Sequence, residues 1–233
     1  KQFEVRVLTL SREPANSMMS QFTSMGIAVS SLDFGRLKGL LLNKIALDRI
    51  VKEFSPNILQ SMGLRSDGYL TRYHQRITCI TTSRNFPMMM ARQHLKYFKK
   101  LLVVSCSHSI AKQLGTVGID SLVIQNGIDL DVFKPSEDKI HKRKEMGLPS
   151  SDRILVVVGS LIKRKNVMMI VNAFAGNYPD ACLLVIGDGP DREVLEQEAE
   201  GKNIRFLGEV PNVLDYLQCA DIMISASVAE GLP

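Results

Sequence analysis

The chain has 233 residues, 45% of them hydrophobic and 23% charged, the balance of an ordinary globular protein with room for one large domain or two smaller ones. No run approaches the roughly 18 consecutive apolar residues of a membrane-spanning helix, and Lys1-Gln2 leads into an alternating, strand-like run, not a signal peptide. A net charge of +5 favours acidic partners, but nothing matches a zinc finger or an RNA-binding aromatic motif, which argues against nucleic acid.

In the first half, apolar patterning predicts strands at 3–10, 27–32, 57–61, 77–81, 101–105 and 122–125, with helices at 38–54, 88–99 and 108–115. Residues 134–139 are polar and break the periodicity, so domains are predicted at 1–135 and 136–233. The second half has a cleaner rhythm. Ile154-Leu155-Val156-Val157-Val158 is a continuous aliphatic run, β-branched at all but Leu155, the mark of a strand buried on both faces, and Gly159 ends it. Asn166 would cap a helix carrying Val167, Ile170, Val171 and Phe174, closed by Gly176. A strand at 182–186, a helix at 191–200, a strand at 204–207, a helix at 212–219 and a strand at 222–225 follow. This alternation implies right-handed crossovers and parallel sheets, hence two doubly wound α/β domains. Cys79, Cys106, Cys182 and Cys219 are scattered among apolar runs without metal-ligand spacing, and read as reduced packing thiols of a cytoplasmic protein. The basic clusters at 96–100 and 141–144 read as solvated faces.

Ligands of such sheets bind at the carboxyl ends of the strands, beside helix N-termini. There the run Gly159-Ser160-Leu161-Ile162-Lys163-Arg164-Lys165-Asn166 sets three cations between a buried strand and a helix start. Free N–H groups and formal charge suit a phosphate or pyrophosphate, although an exposed basic turn would look the same. Gly187-Asp188-Gly189-Pro190 ends the next strand; its glycines allow a ligand close to the backbone, but many such turns bind nothing. After the last strand comes Ser225-Ala226-Ser227-Val228-Ala229-Glu230-Gly231-Leu232-Pro233. There Glu230 could accept hydrogen bonds from sugar hydroxyls, or merely complement a helix dipole.

Their order is more telling than any one of them. The succession of basic turn, Gly-Asp-Gly-Pro, Ile204-Arg205-Phe206-Leu207-Gly208-Glu209-Val210 and Glu230-Gly231-Leu232-Pro233 resembles the donor-binding domain of glycosyltransferase family 4, retaining enzymes of the GT-B fold. Asn126-Gly127-Ile128-Asp129 with Phe133 and Pro135, and Val103-Val104-Ser105-Cys106-Ser107, are similar to segments near the end of that family's first domain. The resemblance implies two Rossmann-like domains facing a cleft and transfer of a sugar from a UDP-, GDP- or ADP-sugar to a hydroxyl, without cofactor or metal. Lys165 would hold the donor diphosphate, supported by Gly159, Ser160, Lys163, Arg164, Gly187 and Gly189. Glu209 and Val210 would line the base pocket, while Ser227, Glu230 and Gly231 would meet the donor sugar, with Glu230 the catalytic carboxylate. The acceptor would be a sugar or lipid-linked sugar at the inner face of a membrane, in bacterial capsule or lipopolysaccharide synthesis.

Two substitutions depart from the family pattern. Ser160 stands where many relatives carry an arginine, leaving Lys163 or Arg164 to compensate, and Arg84 stands where many carry a histidine. An arginine holds its proton near neutral pH, so Arg84 would bind a phosphate or sugar on the acceptor side and would not move protons. The resemblance also implies incompleteness at both ends: the family's first strand would precede Lys1, its second glutamate would follow Pro233, and a loop near Met88 would be shortened. A nucleotide-sugar epimerase or sugar phosphorylase of the same fold and a non-catalytic nucleotide-binding module remain as alternatives. A dinucleotide dehydrogenase is disfavoured because no Gly-x-Gly-x-x-Gly with a downstream acid is present.

Overall fold

The structure, a computed structural model, describes residues 3–11, 17–32, 36–84, 87, 90, 92–150, 152–174, 178 and 180–232. Two compact units result, one up to Gln125 and one from Asn126 to Gly231, a division ten residues before the boundary drawn after residue 135 from the sequence. The intervening segment packs with the second unit: the Gln218 side-chain amide donates to the Lys134 carbonyl at 2.7 Å. Gly176, Asn85, Phe86, Met88 and Pro233, on which sequence expectations also fell, lie outside the described residues.

The first unit contains a parallel pair, β1 (Arg6–Thr9) with β2 (Ala28–Ser31), and a parallel four-stranded sheet in the order β3 (Ile58–Ser61), β4 (Thr78–Ser83), β5 (Leu102–Ser105) and β6 (Ser121–Val123). Every predicted strand of this half is present. Helices α1 (Met19–Ser24), α2 (Arg36–Phe54), α3 (Leu64–Leu70), α4 (Arg92–Phe98) and α5 (His108–Thr116) connect them. Ser107 caps α5, its side chain accepting from the Ile110 N–H, and Ile110 and Leu114 are buried beside Val103 and Cys106.

The second unit opens with α6 (Lys139–Glu145). The sheet that follows has the order β10 (Ile222–Met223), β7 (Arg153–Val158), β8 (Ala181–Ile186) and β9 (Ile204–Gly208), all parallel. The connecting helices are α7 (Val167–Phe174), α8 (Arg192–Glu198) and α9 (Val213–Cys219). All six residues of β8 are buried, as expected of a central strand covered on both faces. Alternation divides the core: Val157, Leu183 and Val185 pack with Val171 and Leu195, while Ile154, Val156, Leu184 and Ile186 face Leu148 and Cys219. The four cysteines are free and buried, and burial pushes the thiols of Cys79, Cys182 and Cys219 upward, which keeps them protonated.

Two local expectations are corrected. Asn166 does not take the extended conformation of an N-cap; at φ 52° and ψ 38° it closes the single 3-10 turn Lys163–Lys165 that precedes α7. Its side-chain amide lies 3.5 Å from the Met169 sulfur. The basic cluster at 141–144 is likewise more than a solvated face, because it belongs to α6 and Arg143 is only 3% exposed. Its guanidinium donates to the carbonyls of Cys219 (2.9 Å) and Asp152 (3.1 Å) and to the Asp221 carboxylate (2.6 Å). Asp221 also accepts from the Ile154 N–H and from Lys139, so α6 is tied to the amino ends of β7 and β10.

Candidate functional site

The order of the second sheet creates a switch in direction. From β7 the chain crosses to β8 on one side, whereas β10 returns to the other side after β9. Open α/β sheets leave a ligand crevice at the carboxyl ends of the strands where this happens. The loops that follow β7 and β10 meet there.

The loop after β7 is laid on the loop after β8. Gly159 N–H donates to the Ile186 carbonyl at 2.9 Å, Leu161 N–H to Asp188 at 2.9 Å, and Asp191 N–H to Leu161 at 3.0 Å. This contact explains the two glycines of Gly187-Asp188-Gly189-Pro190. A Cβ on Gly187 would stand 2.1 Å from the Gly159 carbonyl oxygen, and one on Gly189 would stand 2.4 Å from that of Leu161. Both bare positions are thus filled by neighbouring backbone. Asp188 steadies the same turn by accepting from the Gly189 N–H at 2.7 Å and from Arg192 at 3.0 Å.

The 3-10 turn then raises its cations toward the loop after β10. The stem of Lys165 lies over Gly159: a Cβ there would sit 3.6 Å from Lys165 Cε, in ordinary van der Waals contact, so it is the φ of +149° and not lack of space that favours glycine. Lys165 Nζ donates to Glu230 Oε1 at 2.6 Å. Arg164 Nη1 stands 3.3 Å from Glu230 Oε2 and donates to the Ala229 carbonyl at 2.8 Å. The Arg164 carbonyl in turn accepts from the Val228 N–H at 2.9 Å. Two segments 65 residues apart are thereby clasped at backbone and side-chain level.

With 26% of the Lys165 side chain and 20% of that of Glu230 exposed, the pair is largely covered and is screened less than a pair at the open surface. Burial pushes the Glu230 carboxyl upward, but hydrogen bonds from Lys165 and Ser227, with the charges of Lys165 and Arg164, outweigh it and hold the group below its ordinary value. Glu230 is therefore a carboxylate at neutral pH, an acceptor and not an acid. A small recess beside it is lined by Gly159, Lys165, Val167, Ile224, Ser225 and Ser227.

The sequence-predicted residues divide accordingly. Gly159, Arg164, Lys165, Ser227 and Glu230 are brought together, with Gly231 next in the chain. Ser160 and Lys163 are exposed at the rim, and Arg164 is the cation that joins Lys165 on Glu230. Glu209 and Val210 follow β9 at the far side of the same carboxyl edge, linked through the 2.7 Å bond from the Gly187 N–H to the Gly208 carbonyl. Arg84 directly follows β4 at the carboxyl edge of the first unit's sheet and is exposed. Sequence reasoning did not find the supporting pair Asp188 and Arg192, whose only signal was their separation by one helical turn. Among the described residues, no group of three or more His, Cys, Asp or Glu side chains could hold a metal ion.

Residues 138–233 match the model of the family described as Glycosyl transferases group 1. The match is confined to this segment, 96 of the 233 residues. TuaC of Bacillus subtilis (strain 168), named for teichuronic acid biosynthesis, is 36% identical over 138 residues, 57% of this chain and 34% of TuaC. The lipopolysaccharide core biosynthesis glycosyltransferase LpsD of Rhizobium meliloti (strain 1021) is 25% identical over 198 residues, 82% of this chain and 54% of LpsD. The chain thus spans about a third to a half of the length of these curated relatives. Among solved structures, HepE of Anabaena in complex with UDP-glucose superposes with a TM-score of 0.79 at 16% identity, over 97% of this chain and 74% of HepE. Likeness at that identity establishes the fold, which is GT-B, with two Rossmann-like α/β domains. No helix among the described residues is long and apolar enough to cross a membrane.

Proposed function

We propose that the protein transfers a sugar from a nucleoside diphosphate sugar to a hydroxyl acceptor, with retention at the anomeric carbon, in the synthesis of bacterial surface polysaccharide. The observation that carries this reading is the convergence of Lys165, Arg164 and Glu230 at the switch point between β7 and β10. Three strand spacings separate β10 from β9, roughly 14 Å along the carboxyl edge, room for sugar, diphosphate and base in line. On this reading the sugar lies by Glu230, the diphosphate over the loop after β7, and the base by Glu209 and Val210.

As the bond between the anomeric carbon and the diphosphate oxygen breaks, negative charge collects on the departing diphosphate. Lys165, Arg164 and Lys163, with the amino end of α7, are placed to neutralise it, and no metal is needed for that task. Glu230, ionised, accepts hydrogen bonds from sugar hydroxyls and orients the anomeric carbon. Arg84 is assigned to a phosphate or sugar of the acceptor. The UDP-glucose held by HepE makes UDP-sugars the first donors to try. The name of LpsD and the basic net charge of +5 favour a lipid-linked acceptor at the cytoplasmic face of a membrane.

The test is calorimetry with Lys165→Ala. Loss of one charge-assisted contact to a phosphate costs about 1.5–3 kcal/mol, roughly 10- to 150-fold in Kd. UDP, GDP or ADP should bind the wild type and bind the variant that much more weakly. Because Lys165→Ala also takes from Glu230 its closest partner, the melting temperature should fall too, and binding is compared at a temperature where both proteins are folded. Equal affinities would return the basic turn to an ordinary surface feature.

A further inference from the structure

Glu230 does more in this structure than wait for a sugar, because its carboxylate already occupies the two cations assigned to the diphosphate. Both oxygens are engaged, Oε1 by Lys165 at 2.6 Å and Oε2 facing Arg164 at 3.3 Å. The contact is sheltered, with four-fifths of the Glu230 side chain and three-quarters of that of Lys165 covered. The loop carrying Glu230 is also held in place independently of the carboxylate, by Arg164 Nη1 on the Ala229 carbonyl and by the Val228 N–H on the Arg164 carbonyl. The second of these ties uses no cationic group, so it can hold Glu230 beside Lys165 and Arg164 when a phosphate binds them.

A diphosphate entering this site must share Lys165 and Arg164 with a fixed negative charge. When a sugar is attached, its hydroxyls donate to the carboxylate and compensate the contact that Lys165 partly withdraws. When the sugar has left, nothing donates, and the carboxylate faces the diphosphate across one shared ammonium in a half-desolvated site. Such repulsion is unscreened enough to matter. We propose that Glu230 is the residue that makes the site discriminate between the intact nucleotide sugar and the spent nucleoside diphosphate, weakening the product once the sugar is gone. The inference rests on the proposed function and adds to it a physical means of product release: the carboxylate that orients the donor sugar also counters retention of the leaving group.

Glu230→Gln keeps the shape and removes the charge. UDP should bind this variant about 3- to 10-fold more tightly than the wild type, the expected size of one partly screened like-charge contact. UDP-glucose should bind it no more tightly than the wild type, so the preference for donor over product shrinks. Titrations of UDP and UDP-glucose, with the GDP and ADP counterparts in parallel, into wild type, Glu230→Gln and Lys165→Ala read the effect directly. Circular dichroism certifies that each variant is folded at the titration temperature, and Glu230→Ala repeats the comparison with the side chain removed. If Lys165→Ala loses UDP while neither Glu230 variant gains it, the inference is wrong and the donor site stands. If Lys165→Ala binds every nucleotide as the wild type does, the donor site falls and the inference with it.

Discussion

Gly187→Ala is the substitution whose cost follows most directly from the geometry. Gly187 has φ +127°, a region that side-chain-bearing residues rarely adopt and that costs on the order of 1–3 kcal/mol. The added Cβ would also stand 2.1 Å from the Gly159 carbonyl oxygen, a backbone atom that no rotamer change can move aside. Relief requires the loops after β7 and β8 to separate by on the order of 1 Å, which strains the bonds from Gly159 N–H to Ile186 and from Gly187 N–H to Gly208. At about 0.5–1.5 kcal/mol net for each of the two weakened bonds, the total destabilisation is about 2–6 kcal/mol. Urea unfolding followed by circular dichroism measures it, with Gly115→Ala as the control. Gly115 lies within α5 with open space where its Cβ would be, so that change should stabilise by about 0.5–1 kcal/mol. A Gly187→Ala protein as stable as the wild type would refute the packing of the two loops described above.

Removing Arg143 should also be costly: Arg143→Ala deletes its three hydrogen bonds, to the Cys219 and Asp152 carbonyls and to Asp221, at a cost of about 2–4 kcal/mol in urea unfolding, while Asp221 keeps Lys139 and the Ile154 N–H. Asp221 should make the second unit acid-sensitive. Burial pushes its carboxyl up, but bonds from the Ile154 N–H, Lys139 and Arg143 prevail and bring it from 3.8 down to about 2. With the folded value below the unfolded one, its stabilisation is complete above about pH 4 and is lost as pH falls toward 2. Stability measured across that window should fall less steeply in Asp221→Asn; an unchanged slope would show the carboxylate to be uninvolved.

How much of this was legible depends on how local its cause is. The strands 154–158 and 182–186 announced themselves because central parallel strands are buried on both faces, and burial on both faces writes an unbroken apolar run. Asn212 announced the start of α9 because capping is decided within a few residues; its side chain accepts from the Leu214 N–H. Helix α3 was not legible. It begins after Gly63 without a side-chain cap and carries Gly68, whose missing Cβ leaves room for the Tyr97 ring at 3.2 Å. Arg143 was read as solvated because its partner Asp221 is 78 residues away. The site shows the same division: Lys165 and Glu230 could each be chosen from their place after a strand. That they bind one another is a fact of strand order, since only the return of β10 beside β7 brings them together. The glycines of the Gly-Asp-Gly-Pro turn were noticed for the right reason, close approach, but the approaching group is neighbouring backbone.

The central claim is that a nucleoside diphosphate binds at the switch point between β7 and β10, and backbone amide shifts on titration with UDP test it most directly. A ¹⁵N-labelled sample of the protein should show its largest, saturable shifts in residues 159–165 and 225–231, with smaller ones at 187–189 and 208–210. The same titration of Lys165→Ala should need a higher UDP concentration to reach the same shifts. Saturable shifts confined to residues outside those segments, or none with UDP, GDP or ADP, would contradict the assignment.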